Sequence, residues 1–120
     1  MTCEVEYTDE FEEWWNALSD GEQDEIAAVV GVLEVKGHQL PFPYSSGIYE
    51  SKHSHMRELR IQYGGYPYRV FYAFDPRRIA ILIIGGDKTR NNRWYKEFVP
   101  IADKLYDDHL NILCNKGLIK

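Results

Sequence analysis

Arg60 and Arg69 stand on either side of Gly64-Gly65 in this 120-residue chain. A two-glycine hairpin loop pairs residues whose numbers sum to 129, which sets the two arginines directly opposite each other. Like charges directly opposed on a sheet are destabilising. The coincidence points to an anion site in which a phosphate accepts both guanidinium forks; the plainer alternative is that both lie over acids of a neighbouring helix. Lys88 follows Gly85-Gly86 at the end of an apolar run, where backbone N–H groups and an ammonium can converge on the same anion, or where it is simply an exposed loop lysine. Trp94 and Tyr95 open the last segment, and either can stack on an unpaired base or pack in the core. Lys52, His53 and His55 precede the basic strand; a histidine titrating near neutrality can serve as acid or base, touch a phosphate, or lie idle at the surface. The His-x-His pair suggests a metal, but no third ligand has diagnostic spacing, so no metal or other cofactor is expected. No phosphate-binding glycine loop, G-x-S-x-G elbow or HExxH pattern is present, which excludes the usual nucleotide hydrolysis and serine chemistry.

The net charge of −5 argues by itself against a phosphate-rich partner. The distribution argues the other way. Residues 1–55 carry twelve Asp and Glu against Lys36 and Lys52, a net of −10, whereas residues 56–98 carry nine Lys and Arg against four acids, a net of +5. Local field outweighs the sum, although a basic run can also be no more than a solvated face. Length and a 44% hydrophobic, 14% aromatic composition indicate one ordinary globular domain over residues 1–120. No apolar run approaches the roughly 20 residues of a membrane span and the N-terminus lacks a signal-peptide pattern, so a cytoplasmic protein is expected. Cys3 and Cys114 suggest neither a disulfide framework nor a zinc site and read as reduced packing residues.

The elements that would position these residues follow from periodicity. Cys3 to Tyr7 alternates as a short strand. Phe11, Trp14, Trp15 and Leu18 share a helical face after a cap at Thr8 or Asp9; Ser19 and Glu22 form a capping box ahead of Ile26, Val29, Val30 and Leu33, and Gly37 ends that second helix. Residues 38–54, with Pro41, Pro43 and Gly47, read as a long surface loop. Period two then sets Arg57, Leu59, Ile61 and Tyr63 on one face and Glu58, Arg60 and Gln62 on the other, and a second strand from Tyr66 to Phe74 follows the hairpin. Asp75-Pro76-Arg77-Arg78 suits a type I turn. Ile79 to Ile84 is apolar on both faces and reads as the central strand. Asn92 to Phe98 reads as a short helical turn, with Pro100 opening a separate last helix. The order β-α-α-β-β-β-α predicts an α+β domain: an N-terminal strand and helical hairpin packed on a twisted, mainly antiparallel sheet, mixed if the first strand joins an edge in parallel.

The run Met56 to Arg60, Tyr68 to Tyr72, the Phe74-Asp75-Pro76-Arg77 turn, Ile81 to Lys88 and Tyr95, with the early Thr8 to Trp14 helix, Ala102-Asp103 and His109-Leu110, resembles the RelE/ParE toxin superfamily, particularly its HigB-like branch, over roughly residues 3–113. The resemblance implies a RelE-like fold and a toxin of a type II toxin-antitoxin pair. It implies a metal-independent endoribonuclease that cuts mRNA in the ribosome, the ribose 2′-OH attacking the adjacent phosphate. It carries catalytic roles onto Arg60, Arg69, Lys88 and Tyr95, with RNA contacts expected from Lys52, His55, Arg57, Arg90 and Arg93. Glu58 and Thr89 depart from the family, standing where some members have lysine and arginine, as does the acidic N-terminal half; these departures leave open which group acts as base, and Arg57, His55 or Arg90 could compensate for them. The implied partners are the ribosome, mRNA and a cognate antitoxin of helix-turn-helix, HigA-like type that covers the basic face or adds a segment to the sheet. A gyrase inhibitor of ParE type and a protein-binding module that has lost its chemistry are the rival readings. DNA-damage signalling with intact mRNA distinguishes the first, and harmless expression without antitoxin the second.

Overall fold

The computed structural model describes residues 2–120. Strand β1 (Val5–Tyr7) leads into helix α1 (Asp9–Asn16), where the Thr8 hydroxyl accepts from the Phe11 N–H as N-cap. The same hydroxyl donates to the Ile83 carbonyl at 2.6 Å, so the cap also ties α1 to the sheet. Helix α2 (Asp20–Lys36) opens on the expected capping box, Ser19 with Glu22, and stops at Gly37, whose φ of 60° favours a residue without Cβ. Residues 38–54 are not a plain loop. They hold a 3-10 turn (Gly37–Gln39) and a short strand β2 (Ser45–Gly47), which the sequence hides because Ser-Ser-Gly shows no alternation.

Strands β3 (Arg57–Tyr63), β4 (Tyr66–Phe74) and β5 (Ala80–Asp87) form the antiparallel meander, and the sheet runs β1–β5–β4–β3–β2 with β1 parallel to β5. The mixed sheet is as expected, with one strand more. The central strand is β4, not the apolar β5; β5 is nonetheless covered on both faces, which is what its composition reports. Leu59, Ile61, Val70, Tyr72 and Leu82 meet α1 and α2 on one face. Phe71, Ala73, Ile81 and Ile83 meet helix α3 (Trp94–Asn115) on the other. This helix is continuous, contrary to the expected break. Pro100 removes one backbone donor but sits, like Lys96 one turn earlier, on the exposed side of the helix, while the buried stripe Trp94, Val99, Ala102, Tyr106 and Leu113 runs through. No helix among the described residues is long and apolar enough to cross a membrane.

Two successive glycines near the end of β5 admit a tryptophan from each side. A Cβ on Gly85 would lie 2.3 Å from the Trp14 ring, and one on Gly86 2.9 Å from Trp94 Nε1. The seat of Trp94 against Gly86 fixes where α3 begins, and therefore where its neighbour Tyr95 points.

Candidate active site

The register of β3 and β4 is the expected one. Residue numbers sum to 129 throughout, and Arg60 pairs with Arg69. Both side chains rise on the α3 face. Their repulsion, however, is relieved by the protein itself. The Glu58 carboxylate, from two residues upstream on β3 and 3% exposed, lies against both: Arg60 Nη1 is 3.4 Å from Oε2 and Arg69 Nε 3.5 Å from Oε1. The opposed arginines therefore do not by themselves require a phosphate, and the acid comes from their own sheet rather than from a neighbouring helix.

Glu58 is the hub of the cluster. Its Oε1 accepts from the Tyr95 hydroxyl at 2.7 Å and its Oε2 from the Ser46 hydroxyl at 2.7 Å. Burial first, and then the hydrogen bond to Glu58, push the Tyr95 hydroxyl up to about 12, with Arg69 acting in the opposite sense. Tyr95 thus holds its proton at neutral pH. Arg69 is 6% exposed; its Nη1 donates to the Tyr68 carbonyl at 2.9 Å, while its Nε makes no hydrogen bond at all. At 3.5 Å the carboxylate supplies charge to that N–H without accepting it, leaving a buried guanidinium donor unsatisfied beside an acid. The Lys88 ammonium lies 5.8 Å from the Tyr95 ring centroid, over its face. Its backbone N–H is bonded to the Pro67 carbonyl at 3.0 Å, so the expected convergence of backbone donors on an anion does not occur there. On the solvent side the Arg60 guanidinium sits over the Phe42 ring at 5.1 Å.

Arg60, Arg69 and Tyr95 are thus gathered around one carboxylate, with Lys88 over the tyrosine ring. The other basic candidates are not. Arg57 emerges on the opposite face, where its Nε donates to Ser45 Oγ at 2.8 Å. His55 contacts the Tyr106 hydroxyl at 3.1 Å, and Lys52 and His53 pair with Asp107. From Tyr95 to Tyr106 is eleven residues, about 16 Å along the helix, which separates these groups from Glu58. Burial, followed by the neighbouring His53, lowers the His55 pKa, so it favours the neutral form. Arg90 and Arg93 are exposed at the approach to α3, Arg90 in a left-handed conformation with φ 56°. Trp94 is core, stacked near Phe71 and Phe98, which leaves Tyr95 as the aromatic facing the cluster. Cys3 is partly buried, whereas Cys114 is exposed and so does not pack as expected. No group of three or more His, Cys, Asp or Glu among the described residues is arranged to hold a metal.

Glu58 and Ser46 are the residues that spacing alone passed over. Alternation already puts Glu58 on the face of Arg60, and the 129 register makes it the diagonal neighbour of Arg69. Ser46 faces Glu58 across β2 and β3, a pairing hidden with the strand itself.

The comparisons agree with this architecture. Residues 13–107 match the model of the phage-derived Gp49-like family (DUF891). A Mycobacterium tuberculosis protein named as toxin HigB3 is 37% identical over 100 residues, covering 82% of this chain and 86% of that protein. A second from the same organism, named as toxin HigB2, is 35% identical over 99 residues, and the match spans 49% of its length. In fold the chain is similar to RelE in the archaeal RelE-RelB complex of Pyrococcus horikoshii OT3, with TM-score 0.53 and 16% identity over 75% of this chain and 99% of that one. It is similar also to a free-state mutant of E. coli toxin RelE, with TM-score 0.56 and 9% identity over 78% and 92% of the two chains. With the family model covering most of the domain and a HigB-type relative at 37% identity, the chain belongs to the Gp49-like family, on a RelE-like fold.

Proposed function

We propose that this protein is a ribosome-dependent mRNA endoribonuclease and the toxin of a type II toxin-antitoxin pair. The observation that carries the proposal is the convergence of Arg60, Arg69 and Tyr95 on the buried Glu58 carboxylate, with Lys88 against the tyrosine ring. Cleavage by 2′-OH attack requires a proton acceptor, positive charge at phosphorus and a proton for the departing 5′-oxygen. Glu58 takes the 2′-OH proton as O2′ bonds to phosphorus. Arg69, with its unengaged Nε, together with Arg60 and Lys88, stabilises the additional negative charge of the phosphorane. Tyr95, protonated at neutral pH, donates to the 5′-oxygen as the P–O5′ bond breaks, and recovers its proton from Glu58 through the hydrogen bond that already joins them. The products are a 2′,3′-cyclic phosphate and a 5′-hydroxyl end, and the enzyme returns to its starting protonation. In the resting protein Glu58 occupies the charge that the phosphate brings. Arg60, the more exposed of its two arginine partners, is the group that first exchanges carboxylate for phosphate.

A toxin of this kind acts where ribosomes are, in the cytoplasm, and requires a neutralising partner. The archaeal RelE relative was solved with RelB, which supports an antitoxin here. The test is expression of Arg69→Ala with the fold verified by circular dichroism: growth arrest should be relieved and transcript cleavage lost. Retained arrest with intact mRNA and a DNA-damage response would instead assign a gyrase-directed poison.

A further inference from the structure

The Arg60 guanidinium meets the Glu58 carboxylate on one side and the ring of Phe42 on the other. A hydrogen-bonded turn holds that ring in place. The Tyr44 N–H donates to the Pro41 carbonyl at 3.0 Å and the Ser45 N–H to the same oxygen at 3.2 Å, closing the chain around Phe42. The Arg60 N–H donates to the Tyr44 carbonyl at 2.8 Å, which extends the β2–β3 pairing by one residue and ties the turn to the strand that carries Arg60. Leu40 before the turn and Ser45 after it are both buried. Phe42 is nevertheless 68% exposed, and because Arg60 lies over one face of its ring, the other face is open to solvent. A fixed turn therefore presents an uncovered aromatic face next to a cation of the Glu58 cluster. Tyr95, the other aromatic of the cluster, offers no such face: Phe71, Trp94 and Lys88 lie about its ring and its hydroxyl is bonded to Glu58.

We infer that Phe42 is a stacking platform for one unpaired RNA base, that of the nucleotide immediately 5′ of the scissile phosphate, a role that rests on the nuclease reading and deepens it. The two oxygens of Glu58 decide the side. Tyr95 and Arg69 meet Oε1, whereas Ser46 and Arg60 meet Oε2. In phosphoryl transfer the attacking and leaving oxygens stand roughly in line, on opposite sides of phosphorus. With Tyr95 at the departing 5′-oxygen, the 2′-OH enters on the Oε2 side, where Arg60 and Phe42 are. The nucleotide carrying that hydroxyl has its 3′-phosphate against Arg60, and its base comes within reach of the open face of Phe42. A nucleotide satisfies both neighbours at once, supplying an anion for the guanidinium and a π-face for the ring. An apolar peptide side chain would cover the ring and leave the cation without a counter-charge beyond Glu58.

The test measures the affinity of the whole protein for ribosomes programmed with a message whose vacant decoding-site codon carries 2′-deoxyribose throughout, so that no 2′-OH can attack, and an abasic nucleotide at each codon position in turn. At one position the missing base should weaken wild type at least about fivefold. Phe42→Ala should lose as much on the intact codon and nothing further at that position, while abasic nucleotides elsewhere affect both proteins alike. Phe42→Trp, which restores a ring, should behave as wild type. On the all-ribose message wild type should cut directly 3′ of the position coupled to Phe42. Equal affinity of wild type and Phe42→Ala, additive losses at every position, no binding by wild type, or coupling to a nucleotide 3′ of the cut overturns the inference. So does a Phe42→Ala protein that binds ribosomes normally but escapes its antitoxin, which would assign the ring to a protein partner. Coupling on a codon whose ribose form is never cut would keep the platform and remove the nuclease reading, and cleavage without coupling would do the reverse.

Discussion

At the scale of single residues the site is a carboxylate held by its neighbours, and the sequence discloses half of it. Arg60, Arg69 and Lys88 could be named because hairpin register and strand ends are local properties, whereas Tyr95 was singled out from Trp94 only by the family resemblance. Glu58 was visible only as a departure, since nothing in its spacing says that a buried acid will stand between two arginines. Replacing it tests both roles. Glu58→Gln keeps the shape but loses the proton acceptor, and RNA cleavage should fall about 10²–10⁴-fold, measured as ribosome-programmed mRNA cleavage by purified protein. Undiminished cleavage would remove Glu58 as the base. A second acid gives a stability test. Burial alone would raise the Asp75 carboxyl, but hydrogen bonds from Arg77, His109 and two backbone N–H groups outweigh it and hold the pKa below the usual value. A depressed carboxylate contributes stability above its unfolded pKa of about 3.9, and that contribution disappears as pH falls through the lower folded value. Asp75→Asn should therefore lower Tm at pH 7, the loss shrinking below about pH 4 as wild type gives up the same interaction; a constant deficit from pH 7 to pH 3 would contradict it.

Among the elements, what was legible were patterns with a single period and local punctuation. The Ser19–Glu22 box, the Gly37 stop and the Gly64-Gly65 hairpin all lie where the sequence sets them. What was not legible depends on tertiary packing. Strand β2 has no alternation of its own and exists because β3 supplies its partners. Helix α3 crosses Pro100 because its buried stripe outweighs one lost hydrogen bond. Gly85-Gly86 read as a strand end, whereas the strand continues to Asp87 and the glycines admit Trp14 and Trp94. That packing yields a prediction linking element to site. Gly86→Ala must displace Trp94, at a cost of about 1–3 kcal/mol, and with it the start of α3, so cleavage should fall further than the loss of folded protein explains. Cleavage per folded molecule equal to wild type would show that Tyr95 is not positioned through Trp94. Ser19→Ala, remote from the site, should cost about 1 kcal/mol in thermal or denaturant unfolding and leave cleavage unchanged.

Over the whole molecule, the −10 of residues 1–55 and the +5 of residues 56–98 divide only in part between the two faces of the sheet, since Arg57 emerges on the hairpin face and Glu6, Asp9 and Glu10 line a cleft with α3. The acidic helical hairpin packs on one face and the arginine–lysine cluster lies on the other. Under the proposed function the arginine–lysine cluster is the part that meets RNA, so ribosome association should weaken steeply as salt is raised; an affinity indifferent to salt would contradict docking led by phosphate contacts. The central claim is that Glu58, Arg69 and Tyr95 together cut RNA, and mapping RNA ends after brief induction tests it most directly. Wild type should generate new 5′-hydroxyl ends within translated messages, and Arg69→Ala, equally abundant and folded, should generate none above background. The same ends at the same frequency from both proteins, or none from either, would contradict the account.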